Sequence, residues 1–202
     1  MRAMTKNGQL IVFEGADAAG KSAISVAVCE AIRKRGRAAE TFGFPGNLPR
    51  TLGNLVYRIH HDPKALDVES LTPASLQALH IAAHLDAIET RILPLLERGT
   101  SVVLDRFWWS TFVYGVADGI DRRLLNALIS AETLLWAERS PEILFLVTRN
   151  SPLRDEPAEK WRHWNKLYRE LAQSEKGKYP ISVIENETLL EAAIAKVLCL
   201  IH

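Results

Sequence analysis

The residues most able to do chemistry in this sequence form a loop that matches the pattern G-x-x-x-x-G-K-[ST]. The loop reads Gly15-Ala16-Asp17-Ala18-Ala19-Gly20-Lys21-Ser22. In such a loop the glycines let backbone N–H groups converge on phosphate oxygens, and the helix that follows adds a favourable dipole. Lys21 would bring a positive charge to the β- and γ-phosphates, and Ser22 would offer its hydroxyl to Mg²⁺. The loop therefore predicts a nucleotide-binding site.

The segments on either side of the loop support this interpretation. Residues 10–13 are an apolar run typical of a buried strand, and residues 23–33 are alanine-rich without glycine or proline, as at a helix start. The alternative is a turn from strand to helix that binds nothing. A chance match to the pattern in a chain of this length is on the order of one in a hundred at ordinary glycine usage. The context favours phosphate binding.

A second group of charged residues follows another apolar segment. Residues 101–105, Ser-Val-Val-Leu-Asp, end in Asp105, and Arg106 comes next. A carboxylate at a strand tip can hold the Mg²⁺ shell or orient an attacking oxygen, and a guanidinium fork suits a phosphate. The alternative is an aspartate that only keeps the strand end soluble or caps a helix. Together with the loop, these residues predict a phosphoryl-transfer site in which Ser22 and Asp105 bind the metal.

Aromatic side chains come directly after Arg106. They are Phe107, Trp108, Trp109, Phe112 and Tyr114. The tryptophans are interpreted as core residues, because large aromatic side chains contribute most when they are buried. A tyrosine combines an apolar ring with a polar hydroxyl, so it can contact a substrate from the edge of a core. We therefore predict Tyr114 as a substrate-binding residue.

Composition sets limits on the class of protein. The chain has 202 residues, of which 48% are apolar, enough for one α/β domain with a substantial core. The net charge of +1 gives no support for a nucleic-acid or membrane surface. Cys29 and Cys199 are far apart in the sequence, and we interpret them as free thiols in a reducing compartment. Without a recognisable signal peptide or an apolar stretch of about 20 residues, we expect a cytoplasmic protein.

Short apolar segments alternate with helical ones along the chain. Strands are predicted at residues 10–14, 39–44, 101–105, 142–147 and 181–184. Helices are predicted at residues 22–35, 51–60, 73–98, 122–136, 156–172 and 188–200. This alternation predicts an α/β fold with an open, doubly wound parallel sheet of five strands and helices on both faces, with ligands at the carboxyl ends of the strands. Without a linker or internal repeat, residues 1–202 form one predicted domain.

One irregular segment stands out, residues 148–157. It carries Arg149 and Arg154 between proline-bearing turns, after a strand that should point at the nucleotide. We predict a short mobile lid here. The alternative is an ordinary solvated loop, since arginine is common on surfaces.

The order of these motifs resembles the thymidylate kinase family of nucleoside monophosphate kinases. Residues 44–46, Phe-Pro-Gly, follow the second strand, the long helix ends in Leu-Pro-Leu-Leu-Glu-Arg-Gly at residues 93–99, and residues 105–107 resemble the family's D-R-Y/H segment. Residues 113–115 and 141–143 resemble its A-Y-Q segment and its P-D-L strand entry. The resemblance implies a P-loop kinase that uses ATP and Mg²⁺ to phosphorylate a nucleoside monophosphate, thymidylate by default, and that forms a homodimer.

The resemblance also implies roles for single residues. Asp17 falls where members contact the acceptor sugar, Asp105 on the carboxylate near Mg²⁺, and Arg106 on the arginine that holds the acceptor phosphate. Ala18 occupies the place of a loop arginine found in one subtype, so the catalytic arginine would come from the lid. Arg154 is the first candidate for it and Arg149 the second. The implied substrate-binding set is Asp17, Phe44, His80, His84, Arg106, Thr111 and Tyr114.

Several positions depart from the family pattern. His80 replaces a phenylalanine that stacks on thymine, and His84 replaces an arginine that reaches the acceptor. Asn47 replaces a phosphate-binding arginine of some members, and Gly115 replaces a glutamine. At spacing i,i+4 the two histidines share a helix face and can form a polar wall, unless both are structural. These changes predict that thymidylate is a poor acceptor and that His80→Phe with His84→Arg moves specificity toward it.

Three other functions remain open at this point. A kinase of a nucleoside or other small hydroxyl compound keeps the donor site and changes the acceptor. A polyphosphate-dependent nucleotide kinase has similar loops, although Ser22 stands where those proteins usually have glycine. A non-catalytic nucleotide-binding module is suggested by the two histidines and the short lid. The intact set of Lys21, Ser22, Asp105 and Arg106 favours an active nucleotide kinase.

Overall fold

The computed structural model describes residues 8–137 and 139–201, which form a five-stranded sheet. The strands are β1 (Leu10–Glu14), β2 (Ala39–Gly43), β3 (Ser101–Asp105), β4 (Ile143–Thr148) and β5 (Ile181–Glu185). They lie in the order β2-β3-β1-β4-β5, and each neighbouring pair is parallel. The predicted doubly wound parallel sheet is confirmed, with strand ends shifted by one residue.

Helices connect the strands on both faces of the sheet. They are α1 (Lys21–Lys34), α2 (Leu52–His61), α3 (Pro73–Ala87), α4 (Leu93–Glu97), α5 (Trp108–Ala117), α6 (Arg122–Trp136), α7 (Ala158–Ser174) and α8 (Leu190–Leu200), with a short 3₁₀ helix at Pro63–Leu66. The predicted starts at residues 156 and 188 are each two residues early. Within this described part of the chain, none of the helices is long and apolar enough to cross a membrane.

Two helical predictions need correction. The long helix predicted at residues 73–98 is interrupted by a π-helical turn at Ile88–Ile92, where the N–H of Leu93 donates to the carbonyl of Ile88, five residues back. Pro94 has no N–H to continue the regular ladder just beyond this turn. The aromatic segment after Arg106 was not predicted as a helix, yet it forms α5. Aromatic and β-branched residues have low intrinsic helix propensity, and here tertiary packing overrides it.

The core consists of two layers, one on each face of the sheet. In β1, Leu10 and Val12 point into the layer covered by α3 to α7, whereas Ile11 and Phe13 point into the layer covered by α1 and α8. This alternation is the two-residue period of a strand that is buried on both faces. Because both faces of the sheet are covered by core, a ligand site can form only at an edge, and in this type of sheet ligands bind at the carboxyl ends of the strands.

Side-chain caps fix where the helices beside that edge begin. Thr51 Oγ1 accepts the N–H of Asn54 at 3.2 Å at the start of α2, and Thr72 Oγ1 accepts the N–H of Ser75 at 3.1 Å at the start of α3. Such caps satisfy otherwise unpaired N–H groups and typically stabilise a helix by about 1 kcal/mol. They therefore set the register of the two helices that carry four of the histidines.

Candidate active site

A cavity of about 720 Å³ opens at the carboxyl ends of β1, β2 and β3. Its floor is the loop 15–22, and its walls come from α2, α3, α5, α7 and the segment between β4 and α7. The cavity therefore collects the predicted chemical groups from positions that are far apart in the sequence, as expected at the switch point of an open parallel sheet.

Glycine is required at two positions of the phosphate loop. Gly15 has φ 141°, and a Cβ there would lie 2.2 Å from the carbonyl oxygen of Val147. Gly20 has φ 96°, and its Cβ would lie 2.4 Å from Nδ2 of Asn186. The same Asn186 amide donates to the carbonyl of Ala19 at 2.8 Å, which ties the loop to the end of β5. The loop is thus held by its neighbours in the shape that exposes its N–H groups, directly before the N-terminus of α1.

Lys21 is buried beneath this loop, with 4% of its surface exposed. Its Nζ donates to the carbonyl of Ala16 at 2.9 Å. Burial and, next, the positive charge of Arg106 lower the pKa of Lys21 to about 8, although Asp105 and Asp17 oppose the shift. A bound phosphate would supply the negative charge that this desolvated ammonium lacks.

Ser22 and Asp105 are brought together at the first turn of α1. Ser22 Oγ donates to Oδ2 of Asp105, while Oδ1 of Asp105 is buried and has no hydrogen-bond partner among the described residues. A hydroxyl beside a carboxylate with a spare oxygen is a donor set that suits Mg²⁺, whose remaining ligands would be phosphate oxygens and water. The residues at this position therefore fit the predicted metal ion.

Arg106 lines the cavity, and its backbone has φ 79°. Its guanidinium donates to Oδ1 of Asp17 and, at 3.1 Å, to Oγ of Ser110, and it lies 5.5 Å from the ring centre of Tyr114. Burial would raise the pKa of Asp17, but the charges of Arg106 and Lys21 outweigh it and hold that pKa below its usual value. Arg106 is thus a fixed cation that faces the cavity beside an ionised carboxylate.

Tyr114 and Trp161 support Asp17 from two sides. The hydroxyl of Tyr114 accepts the backbone N–H of Asp17 at 3.1 Å, and Nε1 of Trp161 donates to the carbonyl of Asp17 at 2.8 Å. Burial raises the pKa of Tyr114 to about 12, against the opposing charge of Arg106. Tyr114 therefore stays a neutral phenol, as the prediction of a substrate-contacting hydroxyl requires.

The sequence prediction missed the role of Glu14 in this arrangement. Glu14 is fully buried at the end of β1 and accepts the N–H of Phe107 at 2.7 Å and the N–H of Ser110 at 2.9 Å through Oε1. Burial raises the pKa of Glu14, although the charges of Arg106 and Lys21 oppose the shift. Its carboxyl group serves the unpaired N–H groups at the start of α5, and so positions Arg106. A buried strand that ends in glutamate directly before Gly15 was the available signal.

The segment between β4 and α7 crosses the phosphate loop. The N–H of Leu153 donates to the carbonyl of Ala18 at 2.9 Å. Arg154 lines the cavity and donates to Oε1 of Glu156 at 3.2 Å, with 68% of its side chain exposed. Arg149 does not line the cavity; it donates to the carbonyls of Asn186 and Ser151. The structure therefore separates the two predicted arginines and places Arg154 nearer the cavity.

The far wall of the cavity is formed by histidines. Nε2 of His80 lies 3.2 Å from Nδ1 of His60, which means that one ring donates a hydrogen bond to the other. Burial, followed by the neighbouring rings of His84 and His60, lowers the pKa of His80 to about 3. His60 and His61 lie at the end of α2 and were missed, because the sequence alone does not show that α2 packs beside α3. The part of the wall that His80 forms is therefore neutral at physiological pH.

His84 differs from His80 in its surroundings. It is 2% exposed, its ring stacks on Phe44 with centres 4.0 Å apart, and its Nδ1 is 2.7 Å from Oε2 of Glu132. The two histidines predicted to share a polar wall both line the cavity, but they have different partners. His80 lines the cavity beside α2. His84 also lines the cavity, but it packs between Phe44 and Glu132 of α6.

Other cavity-lining residues complete the site. Thr111, predicted to bind substrate, is 3% exposed and lines the cavity on α5. Lys160 and Trp164 of α7, with the ammonium 5.1 Å from the ring centre, were not predicted. The sequence-based set of polar site residues also lacked a group from the other wall, namely Tyr57, Gln77 and Asp118. These residues lie on α2, on α3 and directly after α5, and only the fold shows that these helices are adjacent.

The chain was compared with known proteins. The model of the family "Thymidylate kinase" matches residues 13–189. The thymidylate kinase of Paracidovorax citrulli is 28% identical over 221 residues, which cover 98% of this chain and 95% of that protein. The thymidylate kinase of Dinoroseobacter shibae is 33% identical over 144 residues, 71% of this chain and 66% of that protein. The crystal structure of thymidylate kinase from Ehrlichia chaffeensis has the same fold, with a TM-score of 0.76 at 20% identity, and covers 97% of this chain and 100% of that one.

Proposed function

Because the chain belongs to the thymidylate kinase family, we propose that it transfers the γ-phosphoryl group of ATP to thymidylate in the cavity described above. Membership confirms the prediction of an enzyme, a nucleoside monophosphate kinase with ATP as donor and a nucleotide as acceptor. The observation that carries the proposal is that Lys21, Asp105 and Arg106 meet in one cavity with the phosphate loop. The two cations are separated along the chain but share the space that a pair of phosphates would occupy.

The arrangement supports catalysis by positioning and charge. The loop N–H groups and Lys21 would hold the β- and γ-phosphates of ATP, while Arg106 would hold the phosphate of the acceptor. The attacking group is already an anionic phosphate oxygen, so no strong general base is needed. The transition state spreads negative charge over the transferred group, and fixed cations in a poorly solvated site stabilise it without reorganising. In-line transfer then depends on how well these cations align the two phosphates.

Ser22 and Asp105 would hold Mg²⁺. When bound, the ion would neutralise charge on the phosphates during transfer. The unpartnered Oδ1 of Asp105 supports this assignment, because a buried carboxylate oxygen without a donor is costly unless a cation binds it. Asp105→Asn should then reduce the affinity for Mg²⁺ more than the affinity for ATP, measured by titrating activity with magnesium.

Residues 148–157 would act as a lid over the phosphates. Arg154 is the stronger candidate for a catalytic arginine, because it lines the cavity and its only described ion pair is an exposed one with Glu156. Arg149 would rather hold the base of the segment against Asn186. Arg154→Ala should lower kcat with little change in either KM, and Arg123→Ala, an exposed arginine of α6, is the matched control.

Turnover of Mg·ATP with a panel of acceptors tests the function. Release of ADP is measured with thymidylate, other nucleoside monophosphates, and nucleosides. We expect thymidylate to stimulate release, and Asp105→Asn to reduce that stimulation when magnesium is limiting. Stimulation by nucleosides alone would replace the proposal with a nucleoside kinase. ATP binding without stimulation by any acceptor would indicate a non-catalytic module.

The assembly and location follow from the same proposal. We propose one catalytic domain that acts as a homodimer in the cytoplasm. Support for an interface comes from α6, on which Leu124 and Leu134 are 46% and 74% exposed. On the segment predicted as the long helix at residues 73–98, by contrast, the apolar residues Ile81, Ile88 and Ile92 are in the core. Sedimentation equilibrium of the chain and of Leu134→Glu tests the dimer.

A further inference from the structure

A buried polar pair lies behind the histidine wall, between α3 and α6. Nδ1 of His84 and Oε2 of Glu132 are 2.7 Å apart, and the two side chains are 3% and 0% exposed. The other carboxylate oxygen of Glu132 accepts Nε1–H of Trp136 at 3.1 Å. The proposed transfer of a phosphoryl group does not use this pair, and no motif in the sequence includes Glu132. It is the most deeply buried carboxylate outside the phosphate site among the described residues.

The fold by itself does not require a polar pair at this place. Glu132 is surrounded by the larger core layer, to which Ile129 and Trp136 of the same helix belong. Burying a carboxylate costs free energy even when it is paired, and apolar residues of similar volume are often as stable or more so. A pair kept at such a cost therefore suggests a use for one of its members in the adjoining cavity.

The pair fixes the orientation of the His84 ring. Nδ1 is the ring nitrogen that Glu132 engages, so the hydrogen bond fixes which edge of the imidazole faces α6. The stack on Phe44, with ring planes 13° apart, fixes the plane of the imidazole. Nε2 then remains as the second ring nitrogen, and it has no hydrogen-bond partner among the residues that the structure describes. Since His84 lines the cavity, Nε2 is the group left for a ligand.

We propose that Glu132 is the positioning residue of the acceptor site: it holds the His84 ring so that Nε2, on a residue already expected to bind substrate, faces the pyrimidine base of the acceptor. The proposal deepens the proposed function, on which it rests, by naming the residue that orients the contact to the base. The phosphate of the acceptor lies at Arg106, and His84 lines the opposite wall together with Phe44, so a nucleotide that spans the cavity places its base beside the ring. The apolar ring of Phe44 and the polar Nε2 of His84 lie side by side, and this combination suits a base, which is flat and has a polar edge.

Three variants separate this role from a structural one. His84→Phe keeps an aromatic ring beside Phe44 and removes both nitrogens. His84→Gln keeps a polar group near the position of Nε2. Glu132→Gln keeps the shape of the side chain and an oxygen for Trp136 but removes the charge. His163→Phe, on the exposed face of α7, is the matched control.

Two ligands report separately on the two ends of the acceptor. Calorimetry gives the Kd of thymidylate and of 2-deoxyribose 5-phosphate, which has the same sugar and phosphate but no base. We expect His84→Phe to raise the Kd of thymidylate about tenfold, the effect of losing one hydrogen bond, and to leave the Kd of the sugar phosphate unchanged. Glu132→Gln should raise the Kd of thymidylate about threefold. The Kd of thymidylate for His84→Gln should lie between those of the unchanged chain and of His84→Phe.

Kinetics supply a second readout. The KM for the acceptor should rise in His84→Phe and Glu132→Gln, whereas the KM for ATP should stay at the value of the unchanged chain. A merely structural pair would instead lower the melting temperature and affect both substrates or neither.

Several results would overturn the proposal. Equal weakening of thymidylate and of the sugar phosphate would show that the pair only supports the fold, and so would a lower melting temperature with unchanged Kd values. If His84→Phe fails to fold, the same comparison in His84→Gln and Glu132→Gln decides the question. No binding of thymidylate by the unchanged chain would also overturn it. Binding without turnover, by contrast, counts against the proposed kinase activity and leaves this contact to be judged by the Kd values.

Discussion

The two ends of the cavity are built in different ways. The end proposed to bind phosphates, called here the phosphate end, consists of consecutive residues of one loop and the tip of β3, and it carries the charged groups Lys21, Asp105 and Arg106. The opposite end is lined by side chains from α2 and α3, and His80 there is held neutral by burial. Charged groups and backbone N–H groups recognise phosphates in any nucleotide, whereas aromatic and neutral polar groups recognise a particular base.

This difference explains why the two ends depart unequally from the family pattern. Phosphoryl transfer requires the same charges in the same places, and a short motif is enough to encode them. The base needs only a surface of suitable shape and a few hydrogen bonds, which different side chains can supply. We therefore propose that the molecule keeps the transfer chemistry, while His80 and His84 change the acceptor pocket. Four predictions test this contrast, in order of decreasing effect.

The largest effect is expected at the phosphate end, from Lys21→Ala. Removing a fixed cation from a poorly solvated site should lower kcat by roughly 10²-fold or more. Steady-state turnover with Mg·ATP measures it, and Lys34→Ala, at the exposed last turn of the same helix, is the control. Near-normal turnover with an unchanged melting temperature would show that the loop does not carry the transfer chemistry.

Arg106→Ala should separate the two substrates. Its guanidinium faces the cavity beside Asp17, so loss of charge-assisted hydrogen bonds should raise the KM of the acceptor about 10- to 100-fold and change the KM of ATP much less. The backbone strain at φ 79° is similar for alanine and arginine, so the variant tests the side chain. An equal loss for both substrates, or a stability defect alone, would make Arg106 a structural residue.

His80→Phe should act only at the base end. A larger apolar ring in place of a neutral imidazole adds stacking surface, and we expect kcat/KM for thymidylate to rise about fivefold, equivalent to about 1 kcal/mol of base stacking. The KM for ATP and the rate with saturating acceptor should not change. The replacement of His84 by arginine is left out of this variant, because His84 is tied to Glu132. A fall in kcat/KM would mean that the His60–His80 pair itself contributes to binding.

The smallest effect concerns stability at acid pH. Burial lowers the pKa of His80 in the folded chain to about 3, whereas an unfolded histidine titrates near 6.5. Between these values the unfolded chain binds more protons, so this group makes the fold less stable as the pH falls below about 6.5. At pH 5.5 the contribution is about 1 kcal/mol.

Denaturation of the unchanged chain and of His80→Phe at pH 7.5 and pH 5.5 measures this contribution. The variant should lose less stability than the unchanged chain over the interval. The other ionisable neighbours, His60, His61, His84 and Arg106, are the same in both proteins, so they cancel in the comparison. Identical losses would show that His80 is as well solvated as a surface histidine.

Much of the phosphate end could be predicted from the sequence. Its signals are all local in the sequence: the loop pattern, the apolar segments before and after it, and the Asp105-Arg106 pair. Local patterns can be recognised without knowing the fold. The strand segments were also found with small errors at their ends, because strands buried on both faces are continuous apolar runs. Glu14 was missed although it is adjacent to the loop, because its partners Phe107 and Ser110 are more than 90 positions away.

The base end needed the tertiary structure. The i,i+4 spacing of His80 and His84 places them on one helix face, but it does not tell which of them meets Glu132 and which meets His60. Those contacts span 48 and 20 positions and exist only because α2 and α6 pack on either side of α3. Helix packing depends on the summed burial of many side chains, so no short pattern specifies it. The sequence by itself predicted a phosphate site at the loop; the packing of three helices decided which side chains form and support the wall proposed to face the base.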